Sequence, residues 1–244
     1  MNKAAWVIAH GSSKEEWITQ VDKAVANVQS PLPIITSFLN NSFDRSIEEG
    51  SRRLKSLQID EVIIIPLFVT SASTHIQELS RILSNYLDKS TFSLTSCIND
   101  HQLVVEHIIK QANKLSTAPK EESLLIIGHG SDQESYTEEW ERILTSLTDK
   151  LKRLTEFAKI NYATYLPNTI PQQLLSSQKD LQTIAVPLFL SKGVFTEEKI
   201  PQLLSGYPVR YSNSSYMSEN WISTWLQERI NESICCSKNF TVKT

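Results

Sequence analysis

Short, almost wholly apolar runs alternate along this chain with longer stretches in which apolar residues recur at helical spacing. In the first half the apolar runs fall at residues 4–9, 33–39, 61–66 and 91–97, and the helix-like stretches at 14–28, 42–57, 74–87 and 100–115. Ile47, Leu54 and Leu57, for instance, fall near one helical face. The second half repeats the rhythm, with runs at 123–128, 158–164, 182–188 and 207–211 and helical stretches at 134–154, 170–177, 197–204 and 218–233. Strands and helices in alternation predict βαβ units and a parallel sheet. The run VIIIP from Val62 to Pro66 lacks the apolar–polar alternation of a half-exposed strand. It fits a strand covered by helices on both faces.

The rhythm is a duplication. Trp6 to Ser12 reads WVIAHGS and Leu125 to Ser131 reads LIIGHGS, an offset of 119 between His10 and His129. Val62 to Phe68 reads VIIIPLF and Ile184 to Phe189 reads IAVPLF, an offset of 121 between Pro66 and Pro187. Two motifs recurring in order at nearly constant separation mark two copies of one unit. The polar stretch STAPKEE at 116–122 sets the expected boundary, giving lobes of 1–118 and 119–244. Each is long enough to bury its own core. The fold class is therefore α/β, with two tandem lobes, each a parallel sheet of about four strands flanked by helices.

Composition narrows the function classes. The chain of 244 residues is 40% hydrophobic and 21% charged, with net charge −3. Before Pro119 there are 11 basic and 12 acidic residues, and from it onward 13 and 15, so the halves carry −1 and −2. Neither half has a nucleic-acid footprint. No apolar run approaches membrane-spanning length and no leader-like segment opens the chain, so a cytoplasmic protein without membrane or nucleic-acid partners is expected. Cys97, Cys235 and Cys236 show no metal-ligand spacing and read as free thiols.

In an open parallel sheet, ligands bind beyond the carboxyl ends of the strands. His10, Gly11 and Ser12 lie at that end of the first strand, and His75 follows the third. Gly11 permits a sharp turn, and Ser12 or Ser13 can cap the next helix. Two strand-end loops can bring two imidazoles to one cleft. Neutral imidazole binds Fe, Co, Ni or Zn, and it can also take up a proton near neutral pH. His129 reads first as a structural residue of the second copy. His101 and His107 read as surface or packing residues, the tryptophans as core, and the acid-rich run 134–141 as a solvated helix start. The loop HGSSKEE lacks both G-x-G-x-x-G and the P-loop signature, which argues against nucleotide binding.

The strand–HGS opening, Ser37-Phe38-Leu39 and the strand VIIIPLF leading to a histidine resemble the sirohydrochlorin cobalto/ferrochelatase family, the small class II chelatases. The two-copy layout resembles its long, fused members. The resemblance implies a metal chelatase, a lyase, with two lobes facing a tetrapyrrole cleft. It would insert Fe²⁺ or Co²⁺ into sirohydrochlorin in sirohaem or cobalamin-type biosynthesis. The metal is then a substrate and no cofactor is permanently bound; the fused duplication allows a functional monomer. The resemblance also implies that His10 and His75 are both the metal ligands and the catalytic residues. The second lobe looks degenerate: His129 persists, but LSKGVFTEEKIP after its PLF holds no histidine. For a carboxylate-rich substrate, the donors expected are the amides around Gly11, Ser12 and His129, with Lys14 and Lys192. Two departures stand out. Asn40 occupies a position where the family usually has Glu, leaving Asp44 or Glu48 as nearby carboxylates. His75 lies nine residues after Pro66, where the family spacing is eight. The alternative function on the same fold is a tetrapyrrole or metal carrier that has lost the chemistry.

Overall fold

A computed structural model describes residues 2–11, 15–39, 45–86, 92–176 and 181–238. The first sheet holds β1 (Lys3–Ala9), β2 (Ile34–Phe38), β3 (Glu61–Leu67) and β4 (Phe92–Leu94). The second holds β5 (Glu122–Gly130), β6 (Lys159–Leu166), β7 (Gln182–Pro187) and β8 (Val209–Tyr211). The orders are β2-β1-β3-β4 and β6-β5-β7-β8, and every pairing is parallel. The copies thus agree strand for strand. β4 is shorter than its apolar run suggested.

Helices α1 (Glu15–Ala26), α2 (Ile47–Ser56), α3 (Thr74–Leu83), α4 (Gln102–Leu115), α5 (Glu134–Leu154), α6 (Ile170–Ser176), α7 (Ile200–Leu204) and α8 (Trp221–Lys238) supply the crossovers and cover. The predicted helix at 197–204 opens instead as a π-helical turn, Phe195–Lys199, that runs into α7. β1 and β3 are buried along almost their whole length, as their unbroken apolar runs require. Helix α2 is drawn hard against β1. Its Gly50 sits where a Cβ would come within 2.5 Å of the Trp6 ring, and Trp6 Nε1–H donates to Ser37 Oγ at 3.0 Å.

The compact units divide the chain differently from the sequence halves. One comprises Met1–Ile98 and Asn220–Thr244, the other Asn99–Glu219. The last helix of each copy has changed places: α8 packs on α1 and β3, and α4 packs on β7 and α5. Helix α4 buries Val104, Val105, Ile108 and Ala112 in the second unit, and the Lys150–Asp100 ion pair (2.7 Å) ties down the approach to it. No helix among the described residues is long and apolar enough to cross a membrane.

His101 and His107 both serve α4. His101 Nδ1 accepts from Leu103 N–H at 3.3 Å as the helix cap, and His107 is buried edge-on to Tyr216, with ring centroids 5.5 Å apart. Burial pushes the His107 imidazole down to about 4, with Lys114 and Lys110 adding to the effect and Glu219 opposing it. The unfolded chain takes up this proton near the ordinary value of 6.5. The stabilisation is therefore complete above pH 6.5 and lost as the pH falls towards 4, to a total of about 3 kcal/mol. Urea unfolding of the parent and of His107→Gln should show the parent losing more stability between pH 7 and pH 4.5. Parallel curves would contradict this. An NMR titration of the parent should show the ring still neutral at pH 5.

Candidate active site

In the order β2-β1-β3-β4 the chain reverses its direction of travel between β1 and β3, which opens a crevice at their carboxyl ends. His10 follows β1 directly. His75 is the second residue of α3, which follows β3. The two imidazoles meet, with ring centroids 4.5 Å apart and planes at 64°. Both rings are partly buried.

Each histidine is held by its neighbours. Trp17, buried in the first turns of α1, donates its indole N–H to the His10 carbonyl at 2.7 Å. The cap of α3 is Ser73, whose Oγ accepts from His75 N–H at 3.2 Å. Phe68, the last residue of PLF, stacks on the His75 ring at 6.1 Å and 18°. Burial, and then the nearby His75, hold the His10 imidazole below its ordinary value, against a hydrogen bond with the Gly11 backbone and the charge of Glu78. His10 is thus neutral at pH 7, the form that binds a metal or accepts a proton. Among the described residues no group of three or more His, Cys, Asp or Glu could hold a metal. The pair offers two nitrogens and leaves other coordination positions open.

The other site residues are placed less completely. Gly11 is buried beside His10. Ser12, Lys14, Asn40 and Asp44 lie outside the described residues. Glu48 is on the exposed face of α2, bonded to Arg52 at 2.5 Å. Lys192 is exposed in the loop after β7, and His129 is the penultimate residue of β5.

The second unit reproduces the crevice with different chemistry. His129 meets Phe195 edge-on, centroids 4.8 Å apart at 81°, and Phe195 stacks against Phe189 at 5.9 Å and 21°. Phe189 ends the second PLF, so Phe195 takes the place that His75 holds in the first unit. Tyr165 completes the aromatic cluster, 5.1 Å from Phe195. His129 Nδ1 lies 3.0 Å from its partner, the Gly130 carbonyl oxygen. A carbonyl only accepts, so Nδ1 carries the proton. Gly130 has φ of 73°, and a Cβ there would lie 1.9 Å from the Leu166 oxygen, so the second HG dipeptide must keep its glycine. The sequence reading overlooked Phe195, although it lies eight residues after Pro187, the spacing at which the resemblance places a histidine.

The family model described as CbiX matches the chain twice, at residues 4–115 and 123–233. Solved structures similar to it include SirB from Bacillus subtilis with Fe³⁺, at 18% identity and TM-score 0.76, covering 98% of both chains. The sirohydrochlorin chelatase SirB from Bacillus subtilis subspecies spizizenii in complex with cobalt follows at 20% identity and TM-score 0.74, again covering 98% of both chains. CbiX, described as the terminal enzyme for biosynthesis of siroheme in denitrifying bacteria, matches at 18% identity and TM-score 0.66, over 94% of this chain and 99% of that one. No curated protein matches by sequence. At these identities the structural likeness speaks for the fold.

Proposed function

The chain belongs to the CbiX family, and from that premise we propose that it is a sirohydrochlorin chelatase, a lyase that inserts Fe²⁺ or Co²⁺ into the macrocycle. The observation that carries this reading is the His10–His75 pair, 4.5 Å apart at the switch point of the first sheet. Insertion exchanges two pyrrole N–H protons for one divalent ion. The site must therefore hold the metal, release it, and accept protons. Two imidazoles suit all three tasks: they bind the first-row divalent ions, they leave positions for water or pyrrole nitrogens, and an imidazole nitrogen can accept a proton. The chemistry belongs to the first unit, because the second has Phe195 where the other imidazole is needed.

The test is an absorbance assay of sirohydrochlorin with Fe²⁺ or Co²⁺, with and without protein. Acceleration of insertion supports the chelatase. Saturable binding of sirohydrochlorin without acceleration would make the protein a carrier on the same fold.

The substrate's carboxylates meet a protein of net charge −3, so attraction must be local. The candidate donors are Lys14 and Lys192, with the amides around Gly11, Ser12 and His129, the residues singled out from the sequence. Lys14→Glu/Lys192→Glu should raise KM for sirohydrochlorin several-fold and steepen its salt dependence, with kcat little changed. Lys55→Glu is the control, since Lys55 is exposed on the last turn of α2, at the opposite end of the sheet. Identical KM–salt series for the two variants would remove the lysines from the substrate site.

A further inference from the structure

The geometry points to Glu78 as the positioning residue that sets the tautomer of His75 and so aims its free nitrogen at the metal. His75 Nδ1 is buried from solvent and has no hydrogen-bond partner. The nearest anion is the Glu78 carboxylate, one turn along α3, whose Oε2 lies 3.7 Å away. That separation is too long for a hydrogen bond. A small rotation of a side chain that is 36% exposed closes it, and the cost of leaving a buried nitrogen unpaired favours the closure. A carboxylate can only accept. Pairing with it puts the proton on Nδ1 and leaves the Nε2 lone pair free, as in the carboxylate–histidine–metal arrangements of metalloproteins.

The other two strand-end histidines support this assignment. His129 Nδ1 is paired with the carbonyl of Gly130, and the His10 ring with the backbone of Gly11. His75 Nδ1 has no such backbone partner: it sits in the first turn of a helix, whose carbonyls point along the axis into the following turns. The inference rests on the reading of His75 as a metal ligand, but its test needs no sirohydrochlorin.

The experiment uses full-length, ¹⁵N-labelled, metal-free protein. Long-range ¹H–¹⁵N spectra report which ring nitrogen of His75 is protonated, and a Co²⁺ titration reports affinity. The parent should show the Nδ1–H form. Glu78→Ala should give a mixture of tautomers and a Co²⁺ Kd about 10–100-fold higher. Glu78→Gln, which keeps an acceptor oxygen, should retain the parent tautomer and recover most of the affinity, and it carries the test if the alanine variant does not fold. Unchanged tautomer in Glu78→Ala overturns the proposal, whether or not affinity falls, since a fall alone would be a charge effect. A parent with the Nδ1–H form but no metal insertion would sink the chelatase reading and leave the role of Glu78 intact.

Discussion

Alanine at His10 or at His75 is expected to cut the rate of metal insertion by about 100-fold or more, the range over which a single positioned acid–base or ligand group acts. Each change leaves one imidazole where the geometry provides two at 4.5 Å. One nitrogen neither chelates the ion nor allows the complementary roles of ligand and proton acceptor. His10→Ala and His75→Ala should therefore also lose most Co²⁺ binding in the absence of sirohydrochlorin. His129→Ala should keep the rate within a few-fold, because its ring is edge-on to Phe195 rather than to a second imidazole. Circular dichroism melts guard against a trivial explanation. Both alanines keep the His10 carbonyl's bond to Trp17 and the α3 cap on Ser73, and His10→Ala loses only the ring's bond to the Gly11 backbone. Equal losses from all three variants would mean that the two units share the chemistry, and the assignment to the first would fail.

Much of this arrangement was legible in the residues. The unbroken apolar run at Val62–Pro66 identified a doubly covered strand, and the repeated HGS and PLF motifs identified the duplication. The meeting of His10 and His75 was not legible, because it depends on strand order. Only when β3 lies beside β1, with β2 on its far side, do the two loops flank one crevice. The exchange of α4 and α8 was also hidden. An amphipathic helix declares which face it buries but not which sheet it covers, and the Ser116–Glu122 boundary gave no hint that α4 would pack on β7. Phe195 was within reach, since its spacing from Pro187 was countable, but a search for histidines passes over a phenylalanine. Glu78 carried no signal of its own, because the burial of His75 Nδ1 without a partner depends on the folded surroundings of α3.

The likeness of the two crevices leads to a second large effect: Phe195→His should install a metal site in the second unit. The scaffold there already matches the first. The ring pairs are 4.5 and 4.8 Å apart, and the phenylalanines of the two PLF motifs stack on the second ring of each pair at 6.1 and 5.9 Å. His129 already carries its proton on Nδ1, leaving the nitrogen that a metal needs. What the second unit lacks is the other imidazole, and Phe195 stands in its place. Histidine is smaller than phenylalanine, and Phe195 is only partly buried, so the cost in apolar burial is about 1–2 kcal/mol. Titration with Co²⁺ should show a second equivalent bound per chain, with an affinity within about tenfold of the first, given that ligand type and number are the same. Phe195→His combined with His75→Ala separates the sites: one equivalent should remain, now dependent on His129, and it should vanish when His129 is also changed to alanine. If Phe195→His adds no equivalent while the variant melts like the parent, ring placement alone does not make this metal site.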